Sequence, residues 1–129
     1  MIGDSAIVPD RSFKADQALA QYRVVTYSST ENFVTYGVAK AAAIAGVTQQ
    51  ATSASGDVVK VRQVGLSRIT ISGAVTKGVP LIISDAQGRV NNVGGATGDG
   101  IVGWAEEGNP GSAGTSGDQI TCFLAIRRA

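Results

Sequence analysis

An internal repeat constrains this chain more than any other feature of its sequence. Residues 44–47 (Ile-Ala-Gly-Val) precede the tripeptide Ser-Gly-Asp at 55–57, and a similar tetrapeptide at 101–104 (Ile-Val-Gly-Trp) precedes the same tripeptide at 116–118. The tetrapeptide recurs after 57 residues, and Ala18-Leu19 recurs as Ala74-Val75 after 56. Halves of about 55 residues are too small to bury a good core alone. We therefore expect them to pair into one pseudo-symmetric β-barrel or β-sandwich.

Short runs of β-branched residues between turn-forming residues predict an all-β fold with little helix. Ile69 and Ile71 alternate with polar neighbours, as do Ile120, Cys122, Leu124 and Ile126, which is typical of half-buried strands. Residues 16–20 have a good N-cap but predict a single turn, and the alanine-rich segment 39–45 is left undecided. The predicted strands cover residues 22–27, 33–38, 58–64, 68–72, 81–83 and 120–126.

The pattern divides the chain into an arm and one domain. Residues 1–12 have no periodic pattern and predict an extended N-terminal arm, so the β-domain spans 13–129, with halves at about 13–72 and 73–129. The second half has four more residues between its landmarks, within residues 109–115, and these predict a surface loop. Trp104 occupies the repeat position of Val47, so we expect both in the core.

Composition argues against two classes of partner. The chain has eleven basic and ten acidic residues, a net charge of +1 and no basic cluster beyond Arg127-Arg128, whereas binding to phosphate backbones needs a basic patch. Its N-terminus lacks the basic and apolar segments of a signal peptide, and no apolar run is long enough to span a membrane. We therefore expect no binding to nucleic acid or to a membrane, and synthesis in a cytoplasm.

Catalytic residue types are scarce. The chain has no histidine, which removes the commonest general base and metal ligand. Its single cysteine, Cys122, shares a strand face with apolar residues and is expected in the core. The acids Asp99, Glu106 and Glu107 do not form a convincing catalytic pair, and the glycine-rich segment 94–100 lacks the Lys-Ser/Thr of a phosphate-binding loop. We expect no enzyme activity, no cofactor and no metal.

An ordered series of motifs between Phe13 and Ile126 resembles the capsid cement, or head decoration, proteins of tailed bacteriophages. It comprises Phe-Lys-Ala-Asp at 13–16, the landmarks above, Gly-Ala-Val-Thr-Lys-Gly-Val-Pro-Leu at 73–81, Ser-Asp-Ala-Gln-Gly-Arg-Val at 84–90 and Ile-Val-Gly-Trp-Ala at 101–105. The resemblance implies a compact β-domain on the outer surface of the virion capsid. It also implies binding to the major capsid protein, often as homotrimers, after the shell expands.

The predicted capsid-binding residues are the apolar side chains of the arm and its junction. An extended arm can add as a strand to a partner's sheet edge, and the candidates are Ile2, Ile7, Val8, Pro9 and Phe13. An alternative is a β-domain of a phage tail or surface appendage that binds a receptor or carbohydrate, which requires exposed aromatic side chains. The chain has only seven aromatic residues, and several of them lie within strand patterns, which argues against that alternative.

Overall fold

The computed structural model describes residues 10–38, 43–73, 75–91, 100–106 and 118–128. All regular structure in these ranges is β, and none of it contains a helix that could cross a membrane. The ten strands are β1 Arg11–Ala15, β2 Val24–Tyr27, β3 Phe33–Tyr36, β4 Ile44–Thr48, β5 Val58–Arg62, β6 Val64–Thr70, β7 Pro80–Ile83, β8 Val90–Asn91, β9 Gly100–Ala105 and β10 Gln119–Arg128. The predicted all-β class is confirmed.

The first half forms a closed five-stranded barrel. Its strand order is β1-β3-β2-β4-β5, and antiparallel pairing of β1 with β5 closes the ring. The pair β1 and β3 is parallel, with Ala15 opposite Val34. Closure leaves few strand edges unpaired, which explains how so short a segment forms its own barrel.

The strands of the second half are arranged in the same order as those of the barrel. Its strand order is β6-β10-β9-β7-β8, and the parallel contact that would close it is a single bridge between Ile71 and Val90. Ile71 and Val90 lie 56 residues after Ala15 and Val34, the corresponding pair of the barrel. The second sheet therefore has the strand arrangement of the barrel, but a single bridge stands where the barrel has its parallel ladder.

Strand registers match between the halves. Val47 lies opposite Arg62, and their counterparts Trp104 and Phe123 lie opposite each other. Phe13 pairs with Val59 in the barrel as Ile69 pairs with Ile120 in the second sheet. The last strand of each half is displaced by 61 residues, because the connection before β10 is four residues longer. The repeat seen in the sequence is thus a repeat of structure.

Each half has its own interior, filled at eight equivalent positions. The barrel interior consists of Phe13, Ala15, Leu19, Val25, Val34, Ala45, Val59 and Val61. The second interior consists of Ile69, Ile71, Val75, Leu81, Val90, Val102, Ile120 and Cys122. Burying a large apolar side chain contributes about 1.5–3 kcal/mol, so these two sets supply much of the folding free energy.

The halves also share a boundary. Val24, Ile44 and Val47 point out of the barrel, yet they are buried and belong to the core cluster of the second half. The backbone N–H of Val24 donates to the Gly88 carbonyl (2.8 Å), and that of Thr70 donates to the Tyr22 carbonyl (2.9 Å). The outer face of the barrel is therefore covered by the second half.

Two expected boundaries shift in the structure. The two tandem β halves themselves are confirmed, and each half fills its own interior. Their boundary lies between Arg62 and Val64 rather than at residue 72, since β6 pairs only with strands of the second half. Strand β1 begins at Arg11, two residues inside the predicted arm. The predicted surface loop at 109–115 and most of the arm lie outside the described residues.

The structure also tests the predictions for individual segments and for Trp104. Residues 16–20 are not helical, as predicted, and the described end of segment 39–45 enters β4. Strands β1, β4, β8 and β9 were not among the predicted strands, although the tetrapeptide landmarks mark β4 and β9. Trp104 has the register position of Val47, but its side chain is half-buried on the outer face rather than in the core.

Candidate functional site

The predicted arm residues are not gathered into a described site. Ile2, Ile7, Val8 and Pro9 lie outside the described residues. Phe13 is described, and its side chain is 5% exposed inside the barrel, so the structure does not present it to a partner. Its assignment to the contact surface is therefore corrected to a core position.

Local alternation explains why Phe13 faces inward. In β1, Phe13 and Ala15 are buried, while the residues beside and between them are exposed. The Phe13 ring meets the Tyr27 ring edge-on at 6.0 Å between centroids, and the Arg11 guanidinium lies 4.9 Å from its centroid. The alternation in Arg-Ser-Phe-Lys-Ala is the sequence signal that identifies this strand.

An ion pair fixes the point where the described chain begins. The Arg62 Nε donates to Asp10 Oδ1 at 2.9 Å, and Arg62 Nη2 donates to Asp10 Oδ2 at 3.2 Å. Arg62 Nη1 also donates to the Leu66 carbonyl at 2.9 Å. The hydrogen bonds to Asp10 raise the pKa of Arg62. Asp10 therefore anchors the start of the described chain to the junction of the two halves.

The environments of Cys122 and Asp57 point to structural roles. Burial, with a smaller effect from Glu106, raises the pKa of the Cys122 thiol to about 12, so it stays protonated and unreactive. Hydrogen bonds from the Ser53 N–H, the Ser53 hydroxyl and the Ala54 N–H lower the pKa of Asp57, which organises a turn. Within the described ranges, no three potential metal ligands come together. Of the predicted weak acid candidates, Asp99 and Glu107 lie outside these ranges.

A depression beside β1 offers little chemistry. It has a volume of about 340 Å³ and is lined by Ser12, Phe13, Lys14, Asn32 and Val58. Lys14 is the single ionisable side chain among these lining residues. The depression therefore provides one cation rather than converging polar groups that would orient a small ligand.

An apolar row crosses the outer face of the second sheet. Directly paired residues on neighbouring strands share one face of a sheet, and here Leu66 pairs with Phe123, Phe123 with Trp104, and Trp104 with Pro80. Leu66 is 55% exposed, Pro80 is exposed, and the two aromatic side chains are half-buried. We call these four residues the outer aromatic row.

The row has a defined geometry. The Trp104 and Phe123 rings stack at 4.9 Å between centroids with an interplanar angle of 14°. The indole Nε1 donates to Glu106 Oε2 at 2.8 Å, which fixes the orientation of the ring. Exposed Arg68 and Glu106 border the row on one side. A preorganised apolar centre with a charged rim is the usual anatomy of a protein interface.

The equivalent positions of the barrel carry different chemistry. Leu66 and Phe123 correspond to Asp10 and Arg62, the ion pair described above, while Trp104 and Pro80 correspond to the covered residues Val47 and Val24. The outward-facing position of Phe123 follows from the alternation of β10, but its pairing with Trp104 and Leu66 required the strand order. That order is what sequence patterns did not supply.

Comparison with solved structures identifies the architecture. The chain superposes on the crystal structure of the head fiber gp8.5 N base in bacteriophage phi29, with a TM-score of 0.67 and 14% sequence identity. The match covers 90% of this chain and 92% of that one. The likeness establishes the fold. No family model matches the sequence, and no curated protein matches it.

Proposed function

We propose that this protein is a structural component of a phage virion that decorates and stabilises the outer surface of the expanded capsid. Its partner would be the major capsid protein, and three copies would surround a three-fold or quasi-three-fold position. The observation that carries this proposal is the fold shared with a phage head fiber base along nearly the whole of both chains. The sequence resemblance to head decoration proteins supports it independently.

The architecture suits such a role physically. A barrel and a sheet joined through a buried face and backbone hydrogen bonds form a stiff unit, so little conformational entropy is lost when it binds. On a symmetric shell, the same modest contact is repeated many times. A stiff module with weak individual contacts can therefore reinforce a shell.

Co-sedimentation with empty heads tests the proposal. The purified chain should pellet saturably with expanded shells of the cognate capsid protein, at about one chain per capsid subunit for complete occupancy of trimeric sites. Unexpanded shells should retain little of it. Equal binding to both forms would contradict recognition of the expanded lattice, and binding to neither would overturn the proposal.

The arm provides a second prediction. Deleting residues 2–9 should leave the barrel intact, because β1 begins at Arg11 and Asp10 keeps its ion pair with Arg62. The same deletion should weaken shell binding, since an extended apolar segment can add to a sheet edge of the partner. The control is thermal unfolding, which should be unchanged. A deletion variant that binds shells normally would remove the arm from the contact surface.

One observation favours the appendage alternative. The stacked pair of Trp104 and Phe123 supplies the partly exposed aromatic surface that carbohydrate binding requires. If that function holds, a glycan screen should give hits that Trp104→Ala abolishes, and shells should bind nothing. A blank glycan screen together with binding to expanded shells would exclude it.

A further inference from the structure

Inside the chain, one face of the barrel is covered by the second half. The covered residues are Val24, Ile44 and Val47, and β4 contacts β6, β9 and β10. The Gln49 side-chain amide also donates to the Ser67 hydroxyl across this boundary at 2.9 Å. Within one chain, the second half therefore makes one contact with the outer face of the similar first half.

The outer face of the second sheet corresponds to the covered face of the barrel. Among the described residues, nothing covers it in the same way. Its counterparts of Val24 and Val47 are Pro80 and Trp104, and the outer aromatic row extends this face to Phe123 and Leu66. Substantial exposure of Leu66 and Pro80 leaves apolar surface open to solvent. Contiguous apolar surface of this kind marks an interaction site.

The first half has the matching surface. Ile83 and Leu124 belong to the cluster that buries Val24 and Val47, and their barrel counterparts are Tyr27 and Gln63. Tyr27 is 50% exposed, and the Gln63 side-chain amide donates to its hydroxyl at 3.4 Å. Among the described residues, nothing equivalent covers the outer aromatic row of the second half or the Tyr27 and Gln63 surface of the first half.

We propose that a second copy of this chain docks the Tyr27 and Gln63 surface of its first half onto the outer aromatic row of the second half. The contact repeats, head to tail between copies, the contact between the two halves of one chain. A contact between different surfaces forms a ring when its rotation closes. This inference deepens the proposed function by naming the self-contact of the decoration assembly, but it does not require a shell.

The contact between copies cannot be an identical repeat. Within the chain, Gly88 lies against Val24, and a Cβ at residue 88 would lie 2.9 Å from the Val24 nitrogen. The counterpart of Gly88 is Asn32, which has a Cβ, and the counterpart of Val24 is Pro80, which has no N–H to donate. The turn at Asn32 of one copy must therefore lie further from the second sheet of the other copy than the turn at Gly88 lies from the barrel. Trp104 and Phe123 are larger than Val47 and offer the volume to fill that gap.

The repeat itself supplies the first test. The double substitution Leu66→Asp with Phe123→Arg places on the second half the ion pair that the first half has at Asp10 and Arg62, so the fold should tolerate it. Sedimentation equilibrium of the native chain should show concentration-dependent association that this variant weakens at least about 30-fold. The matched control is Val58→Gln, which changes an equally exposed valine to its counterpart residue, Gln119, and should associate normally.

Clear outcomes would overturn the proposal. A native chain that stays monomeric up to millimolar concentration contradicts it, as does a double variant that associates like the native chain. If the double variant unfolds, Trp104→Val replaces it, because valine is the residue at the equivalent position of the barrel. Shell binding is scored separately. A chain that associates but binds no shell retains this inference and loses the proposed function.

Chemical cross-linking distinguishes the head-to-tail arrangement from others. Leu66→Cys and Tyr27→Cys variants are prepared separately, mixed, and treated with a short bis-maleimide; the buried Cys122 thiol, with its pKa of about 12, contributes little background. Cross-linked dimers should form in the mixture and should contain one chain of each type. Dimers of the Leu66→Cys variant alone would indicate face-to-face pairing and would refute the proposal, as would an absence of mixed dimers.

Discussion

The two halves of this protein share their strand registers but differ in what they place on the outer face. The barrel has an ion pair, Asp10 with Arg62, beside valines that the second half covers. The second sheet has Leu66 and Phe123 at the ion-pair positions and Trp104 beside them. The inward-facing residues therefore give both halves the same strand arrangement. The outward-facing residues differ, and they determine which outer face is covered within the chain.

The halves also differ in how firmly they close. Two register pairs join β1 and β3 of the barrel, whereas one bridge joins the corresponding strands of the second half. Opening a single bridge exposes fewer backbone groups than opening a ladder. We therefore expect amide hydrogen exchange to be faster near Ile71 and Val90 than near Ala15 and Val34.

The largest expected effect concerns the interior. Phe13→Ala should lower the free energy of unfolding by about 3–5 kcal/mol, because it removes a buried ring from a small, closed core. Urea unfolding of the full chain measures this change. The matched comparison is Ile69→Ala at the equivalent position, with an expected loss of about 2–5 kcal/mol.

This prediction separates the core position from the contact surface. If Phe13 contacted a partner instead, Phe13→Ala would leave the free energy of unfolding unchanged and would reduce shell binding. A stability loss below about 1 kcal/mol would therefore reinstate the contact interpretation.

A second prediction tests the glycine shared by the central strands. A Cβ at Gly103 would collide with the Phe123 carbonyl oxygen and would lie 3.0 Å from the Ala125 nitrogen, so a rigid backbone opposes it. Gly103→Ala should cost about 1–3 kcal/mol, as measured by urea unfolding. The equivalent Gly46 faces the Arg62 carbonyl oxygen and has a φ of +153°, so Gly46→Ala should cost at least as much.

The control for both glycines is Gly73→Ala. A Cβ there has no heavy atom within 4 Å, and that substitution should change stability by less than about 0.5 kcal/mol. A loss of at least about 1 kcal/mol at both Gly46 and Gly103 would confirm that the halves use glycine for the same close strand approach. A harmless Gly103→Ala would show that β9 and β10 can separate where β4 and β5 cannot.

These particular residues show how far sequence reasoning reaches. Repetition of Ile-x-Gly predicted two similar halves, because a close strand approach demands glycine at the same place in each. Alternation predicted that Ile120, Cys122 and Leu124 face a core. Phe13 was misassigned because its strand is only five residues long and adjoins an unpatterned terminus. The outer aromatic row depends on pairings between β6, β10, β9 and β7, which are distant in sequence, so no local pattern could reveal it.

The smallest expected effect lies in the turn between β7 and β8. Partial burial alone would raise the pKa of Asp85, but the N–H groups of Gln87 and Arg89 and the Arg89 guanidinium, 2.5 Å from Asp85 Oδ2, lower it below 3.8. A lowered pKa in the folded state stabilises the protein above the ordinary pKa, and this stability is lost as the pH falls through the folded value. The corresponding turn residue of the first half is Ser29, which does not titrate in this range.

Asp85→Asn should therefore cost about 0.5–1 kcal/mol at neutral pH, and this difference should shrink as the pH is lowered below the ordinary pKa of an aspartate, as measured by urea unfolding across a pH series. Because this turn lies against Val24 through Gly88, acid should loosen the contact between the halves before it loosens the barrel interior. Hydrogen exchange at pH 3 should then show earlier loss of protection at the Val24 amide than at Val34. Simultaneous loss at both amides would mean that the halves unfold as one cooperative unit, and that the turn does not act as a separate acid-sensitive contact.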